Sequence, residues 1–549
     1  MKKIIACTIG NCVHVAGIMN FFNLADKEGY ETKFLGIGLS IDEVFEAIER
    51  EKPDYVGLSY RLTPEPLYAL MDELKAKRDV IDTGDIHWIF AGIEDDAKIA
   101  EEYGLFDSIF YGWEDIDETL AFLKGREEGM EISYPDHLID RIEEKYPYPI
   151  LRHHIGLPKL DATIEAIEKI AEEKVLDVIS IAPDQNAQEF FFEQDKMDPR
   201  LTGAGGVPLR SPEDFRALYN AAQRGNFPLL RSYSGTKDTI PFAEVLNDTI
   251  KNAWCATPIF WYSRLDMRSK RPLARAIREN QELMRWHAQR NIPVEANDPH
   301  HWSLRDASDA IAVADAWLVA YNAKKCGVKH YIAQFMFNNP AHLSPEMDLG
   351  KMLAKIELIE SLEDENFKVY REARAGLTSF PADLYAAKGQ LAASAYLALN
   401  IKPHIYHVVG FCEAHHAADA QDVIESCKIV RGIIKNDFLG AVDMRKDINV
   451  QRRKEELIRE AKDILEGIRI LGKDCEDPFS DPDNLARTVY TGIFDAPQLV
   501  GNPDARGELK TRMVAGGLYA YDEEEGRIIP EKERVSKILE REGIQEKIR

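Results

Sequence analysis

Apolar and polar positions in this chain follow two periods, and the changeovers between them define its elements. Near the start, short apolar runs read as buried strands: KIIACTI (3–9), TKFLGIG (32–38), YVGLSY (55–60), WIFAG (88–92) and SIFYG (108–112). Stretches of helical period separate them, at 15–28, 41–51, 65–77, 95–103 and 115–124. Strands alternating with helices predict a parallel sheet covered on both faces, a doubly wound (flavodoxin-like) α/β domain over residues 1–125. In that architecture ligands sit at the carboxyl ends of strands, which is where the turn IGNCVHVAG (9–17) falls.

A polar, proline-bearing linker follows at 126–160, including YPYPILRHHIGLP, and then a longer alternation begins. Its predicted strands are VLDVISIA (175–182), GVPLR (206–210), FPLLRSY (227–233), CATPIFW (255–261), IPVEAND (292–298), HYIAQFMF (330–337), FKVYREAR (367–374) and KPHIYHVVGF (402–411). Helical segments lie among them at 212–224, 239–252, 271–290, 303–326, 383–399 and 417–434. Eight strand–helix units in one segment predict a (β/α)8 TIM barrel over 161–445. The remainder, 446–549, is a charged helix (445–472), then an irregular extension rich in Pro, Gly and Asp, then a polar helix at 534–549.

Composition narrows the class. A hydrophobic content of 45% and a charged content of 30% are those of a folded globular chain. A net charge of −25 argues against a nucleic-acid binder, which needs a cationic face. The opening MKKIIACTIGNCVHVAGIMNFF imitates a signal peptide, but Asn11 and His14 interrupt it and it patterns as a buried strand and turn. No run of 18 apolar residues exists, so no membrane span is expected. Seven scattered cysteines with no CxxC pair fit reduced thiols and a cytoplasmic setting better than disulfides or a zinc site.

Three short motifs carry a resemblance. Cys12-Val13-His14-Val15-Ala16-Gly17, then Ser59-Tyr60-Arg61-Leu62-Thr63, then Ala91-Gly92 follow in order the pattern Asp-x-His-x-x-Gly, Ser-x-Leu or Ser-x-Thr, Gly-Gly. That pattern belongs to the cobalamin-binding domain of adenosylcobalamin-dependent mutases and methionine synthase, which residues 1–125 resemble. The barrel resembles the same mutases through DPRLTGAGGVPLRSPEDFRALYN (198–220), PLLRSYSGTKD (228–238) and LTSFPADLYAAKGQLAASAYLAL (377–399). The first is similar to methylmalonyl-CoA mutase, the other two to glutamate mutase and its aminomutase relatives.

The resemblance implies a cofactor site built from Cys12, His14, Gly17, Ser59, Leu62, Thr63 and Gly92. His14 would be the lower ligand of cobalt; the plainer reading is a turn histidine bonded to nearby backbone. Small residues at 59 and 91–92 would leave a slot for the nucleotide tail. Two positions depart from the pattern. Cys12 replaces the aspartate that orients the histidine, and a thiol is a poor hydrogen-bond acceptor. Ala91 replaces the first Gly. By the same resemblance the activity would be an adenosylcobalamin-dependent radical isomerase, catalysing a 1,2-rearrangement of a small carboxylate or amino-acid-like substrate. A homodimer would follow by analogy with the group.

In a barrel, substrate residues sit at the carboxyl ends of strands. The catalytic candidates are Arg231, Tyr233, Glu295, Asn297, His300, Arg374 and Glu413; the substrate candidates are Gln185, Asn186, Trp261, Tyr262 and Gln334. Asp184, Arg264, His301, Arg371, His415 and His416 share those strand ends. Asp184-Gln185-Asn186 stands where glutamate mutase places an arginine, and Ala256 to Trp261 replaces its glycine-rich segment, so glutamate is not the expected substrate. The doublets His300-His301 and His415-His416 lack a carboxylate at regular ligand spacing, which argues against a second metal. Three other functions stay open: an aminomutase that also uses pyridoxal phosphate, for which no Schiff-base lysine stands out, a corrinoid methyltransferase, and a non-catalytic corrinoid-binding protein.

Overall fold

The computed structural model describes residues 2–112, 114, 116–125, 134–438 and 440–548. The chain divides into two compact units, Met1–Ser133 with Phe438–Ala441, and Tyr134–Asp437 with Val442–Arg549.

In the first unit, strands β1 (Lys3–Ile9), β2 (Glu31–Leu39), β3 (Tyr55–Ser59), β4 (His87–Ala91) and β5 (Ser108–Phe110) form one parallel sheet in the order β2-β1-β3-β4-β5. Side chains alternate across a strand, so the apolar run of β1 supplies both faces at once. Ile4 and Ala6 join Ile18, Phe22 and Leu123 in one core. Ile5, Cys7 and Ile9 face the other way, into a core built with Val44, Leu67, Met71 and Trp88. The sheet is therefore doubly wound, as its sequence pattern predicts. The strand order reverses between β1 and β3, and the crevice at that switch point is where such sheets bind ligands. The turn after β1 stands there. It is pinned from inside by Thr8, whose hydroxyl donates to the Cys12 carbonyl and accepts from Gly38 N at 2.8 Å.

The second unit is a parallel barrel of β6 (Ile150–Ile155), β7 (Val178–Ile181), β8 (Leu229–Ser232), β9 (Cys255–Ala256), β10 (Val294–Ala296), β11 (His330–Phe337), β12 (Lys368–Ala375) and β13 (Ile405–His407). Each strand pairs with its sequence neighbours, β13 returns to β6, and a lone parallel bridge from Tyr233 to Ala256 joins β8 to β9. Two expectations are corrected. The linker over 126–160 contains a helix, Leu138–Lys145, and the first barrel strand, β6; its residues 126–133 lie outside the described ones. The segment GVPLR forms no strand and touches the sheet only through a bridge between Pro183 and Val207. The count of eight survives because one strand was missed and one misplaced. Proline density hid β6, whose Arg152, His153 and His154 break the apolar run a parallel strand ordinarily shows.

The C-terminal extension is more regular than its composition predicts. Its long helix, Ile448–Leu471, packs on helices Asp309–Lys325 and Pro345–Glu360 of the barrel wall. A small antiparallel sheet of β14 (Thr511–Val514), β15 (Gly517–Asp522) and β16 (Arg527–Ile528) follows, and the last helix is Glu531–Arg541. Asp309 ties these parts together. Its buried carboxylate receives Lys351 Nζ at 3.0 Å, Arg453 Nη2 at 2.7 Å and Leu518 N at 3.0 Å. No helix among the described residues is long and apolar enough to cross a membrane. Replacing Asp309 with Ala leaves buried Lys351 without its ion pair and Arg453 with Glu456 alone, so urea unfolding of the second unit should show a loss of about 3–5 kcal/mol.

Candidate functional site

The turn at the carboxyl end of β1 exposes His14 above a buried Cys12. The Cys12 thiol lies 3.7 Å from His14 Nδ1, and no described residue bonds Nε2. Sulfur therefore stands against one ring nitrogen, and the ring keeps the other for another partner. Gly17 opens the first helix, and a Cβ built on it meets nothing within 4 Å, so the helix start is uncovered. Val13, Ile37 and Ile93 are exposed apolar residues at the same edge of the sheet.

The rest of the implied cofactor set divides. Ser59 closes β3 and is buried, and Thr63 is exposed at the cap of helix Pro64–Arg78. Leu62 packs into the apolar core rather than standing clear of it. Gly92 also has a different reason from the expected slot. A Cβ there would come 2.9 Å from Asp96 Cβ and 3.1 Å from the Tyr60 carbonyl, so its smallness serves the protein's own packing. Beside it, Asp96 is fully buried with both carboxylate oxygens unpartnered, and burial pushes its pKa up to about 6. An orphaned carboxyl at the carboxyl end of β4, with a free imidazole nitrogen after β1, fits a polar ligand at the switch point.

In the second unit, a cavity of about 700 Å³ opens at the carboxyl ends of the barrel strands. Gln185, Asn186, Arg231, Tyr233 and Tyr262 line it, as do Glu295, Asn297, His300, Gln334, Arg374 and Glu413. The sequence-based ring thus closes around one space, with one exception. Trp261 lies off the cavity, fully buried with its ring 4.7 Å from that of Trp302 and beneath the Arg305 guanidinium. Of the residues sharing those strand ends, His301 lines the cavity and the others do not. Asp184 caps a helix and pairs with Arg210 at 2.6 Å; Arg264 pairs with Asp504, and Arg371 with Glu360. His415 and His416 are exposed. His416, Cys412 and Asp422 bring donor atoms within 4.8 Å of one another, but the Asp422 carboxylate already accepts from Asp419 N at 3.1 Å and contacts His416 Nε2 at 3.0 Å.

Beneath the cavity runs a layer of charge in which Arg231, Glu295 and Gln334 are sequence candidates and Arg152, His154, Glu372 and His407 are not. From β6, Arg152 bonds Glu372 of β12, Ser180 Oγ at 2.9 Å and His407 Nδ1 at 2.8 Å. Residues 152 and 154 share a face of the strand, so His154 rises above Arg152 toward the opening. It meets His407 Nε2 at 3.0 Å and the Tyr233 hydroxyl at 2.8 Å. Arg231 pairs with Glu295 at 2.8 Å, and Gln334 and Trp254 donate to the same carboxylate at 3.0 and 2.7 Å. The run Arg152-His153-His154 between the apolar pair Ile150-Leu151 and Ile155 is the available signal.

Burial governs the titration of this layer. It holds His154, His300, His301 and His407 well below the ordinary histidine range, and Arg152 or Arg374 beside them acts the same way. These imidazoles are neutral at pH 7. Burial lifts Glu372 to about 7, with Glu295 adding to the rise and Arg152 opposing it. For Glu295, burial acts upward but Arg231 and Arg152 outweigh it and keep the carboxylate ionised. Three guanidiniums, at 152, 231 and 374, face the two deep carboxylates Glu295 and Glu372, and Glu413 of the same cavity is within electrostatic reach of Arg374. Arg374 is the one left over: it is 9% exposed, lines the cavity, and its guanidinium bonds no described residue. Glu413, at the rim, is itself pushed upward by burial.

No protein-family model matches the chain, and no curated protein matches it. Two solved structures are similar over parts of it. One is a novel cobalamin-binding protein from Desulfitobacterium hafniense DCB-2, with 24% identity over 22% of this chain and 56% of that one, at a TM-score of 0.19. The other is the cobalamin-dependent S-adenosylmethionine radical enzyme OxsB, with 10% identity over 68% of this chain and 49% of that one, at a TM-score of 0.18. The chain spans about half the length of each, and at these TM-scores neither likeness carries an argument about function. An unpaired buried cation costs stability unless a ligand neutralises it. Arg374→Met should raise the stability of the ligand-free protein by about 1–2 kcal/mol, read as a higher thermal midpoint.

Proposed function

We propose that this chain is an adenosylcobalamin-dependent isomerase that rearranges a small carboxylate or amino-acid-like substrate in the barrel cavity. The observation that carries the reading is His14: an exposed imidazole at the switch point of a doubly wound sheet, with Nδ1 against a thiol and Nε2 free. Nε2 is the atom that would hold cobalt, and Cys12 would orient the ring. A thiol supports an imidazole more weakly than a carboxylate, so the histidine is a less basic ligand here. The chemistry that adenosylcobalamin supplies when bound is homolysis of its cobalt–carbon bond, a source of a carbon radical.

The barrel residues have the complementary tasks. Arg374 offers a desolvated guanidinium for a substrate carboxylate. Asn297 Oδ1, Gln334 Oε1 and His300 Nδ1 are buried without partners and face the same cavity, so they are free to take hydrogen bonds from a polar substrate. Neutral imidazoles around them bind a substrate without adding charge. The enclosing walls keep water from a reactive intermediate, which is the protein's share in radical chemistry. A pyridoxal phosphate partner finds less support, because no lysine is among the described residues lining the cavity.

Titration of the purified chain with adenosylcobalamin should give a saturable spectral change, and a flat response would defeat the reading. Electron paramagnetic resonance of the reduced cobalt form should show splitting from one nitrogen, absent in His14→Ala. Cys12→Asp should tighten binding by about tenfold, since a supporting partner of a metal-bound histidine commonly carries that much affinity.

A further inference from the structure

We propose that Tyr233 is a fixed hydrogen-bond donor to the ligand of the barrel cavity, its direction set by a one-way chain of hydrogen bonds that starts at Arg152. The proposal rests on the cavity being the substrate site, as read above, and not on the cofactor.

The direction follows from what each group is able to do. A guanidinium has only donors. Arg152 Nη2 lies 2.8 Å from His407 Nδ1, so that nitrogen must be the bare, accepting one. In a neutral imidazole the proton then sits on Nε2. His407 Nε2 is 3.0 Å from His154 Nδ1 and donates to it. The same logic moves to the next ring: with Nδ1 accepting, His154 carries its proton on Nε2. That N–H points at the Tyr233 oxygen, 2.8 Å away. The phenol oxygen accepts, and its own proton is left for a partner in the cavity that Tyr233 lines.

Two neighbouring contacts test this order. Arg231 Nη1 stands 3.3 Å from His154 Nε2, a donor facing a donor. It is the longest contact of the cluster within hydrogen-bond range, and Arg231 is committed through Nη2 to Glu295 at 2.8 Å, so the chain outranks it. Glu372 would favour a proton on His407 Nδ1, but its oxygen lies 3.6 Å off, beyond hydrogen-bond reach. Arg152 is also unable to turn away, since Glu372 and Ser180 Oγ hold its other nitrogens. The rings are packed as firmly as they are bonded: Tyr233 stacks on His154 with 15° between planes and 5.3 Å between centroids.

The consequence is a specificity rule. The ligand atom opposite Tyr233 is an oxygen acceptor, a carboxylate or a carbonyl. A ligand presenting only donors there leaves the phenol proton unpaired, at a cost of tenfold or more in affinity. Arg152, His407 and His154 are positioning residues; Tyr233 is the one that touches the ligand.

The test is the tautomeric state of the full-length, cofactor-free protein labelled with ¹⁵N-histidine. Long-range ¹H–¹⁵N correlation should show His154 and His407 both protonated at Nε2 and bare at Nδ1, with signals assigned through His154→Gln and His407→Gln. Tyr233→Phe should move the His154 Nε2 proton to higher field while leaving the His407 tautomer unchanged. If the histidine variants do not fold, Tyr233→Phe still identifies His154, and a neutron crystal structure places the deuterons directly. Either ring found as the Nδ1–H tautomer or as an imidazolium at pH 7 overturns the proposal. Because no cobalamin is present, this outcome is separate from failure of the isomerase reading.

Discussion

Three guanidiniums held inside a parallel barrel impose the constraint on which the second unit depends. A buried charge persists only when its partners over-determine it, and here Arg152 and Arg231 each reach past one intervening strand to a carboxylate on the next. Those pairs link β6 to β12 and β8 to β10, each spanning the single strand between them. It keeps the adjacent imidazoles neutral and gives their hydrogen bonds a direction. The third guanidinium, Arg374, makes no hydrogen bond to a described residue.

The two units handle polarity in opposite ways. The doubly wound sheet keeps its interior apolar, divides the side chains of β1 between two cores, and pushes its chemistry to the turn after that strand. Cys12 and His14 sit there because only a strand end can expose one side chain while burying another two residues away. The barrel instead carries its polar groups inward on strands, where each must be satisfied by the wall opposite. Its apolar burden shifts outward, to the helices and the extension braced on Asp309.

Legibility in the sequence followed the same division. The first unit was read strand by strand, since each of its strands is an apolar run bounded by helical stretches. The barrel was recognised, but its first strand was lost in the supposed linker because Arg152, His153 and His154 break the expected run. Arg231 and Glu295 of the charge layer are sequence candidates; Arg152, His154, Glu372 and His407 are not. Their partners stand 28 positions away for Arg152 with Ser180, 77 and 79 for His154 with Arg231 and Tyr233, and 220 or more for the rest, and no local period records such pairing. Trp261 was chosen as a substrate residue from its place at a strand end, where an aromatic ring serves packing as readily as binding.

By itself the sequence determined the class of both folds, the place of His14 at a strand end, and a ring of polar residues at the barrel's carboxyl ends. Those follow from local period and from the chirality of strand–helix units. Only the tertiary structure decided which charges neutralise one another, that Gly92 serves packing, that Trp261 is shut away, and that Arg374 is left without a partner. The physical reason is that satisfaction of a buried polar group is a property of the closed barrel. Whether a side chain braces or binds depends on what reaches it from the far wall.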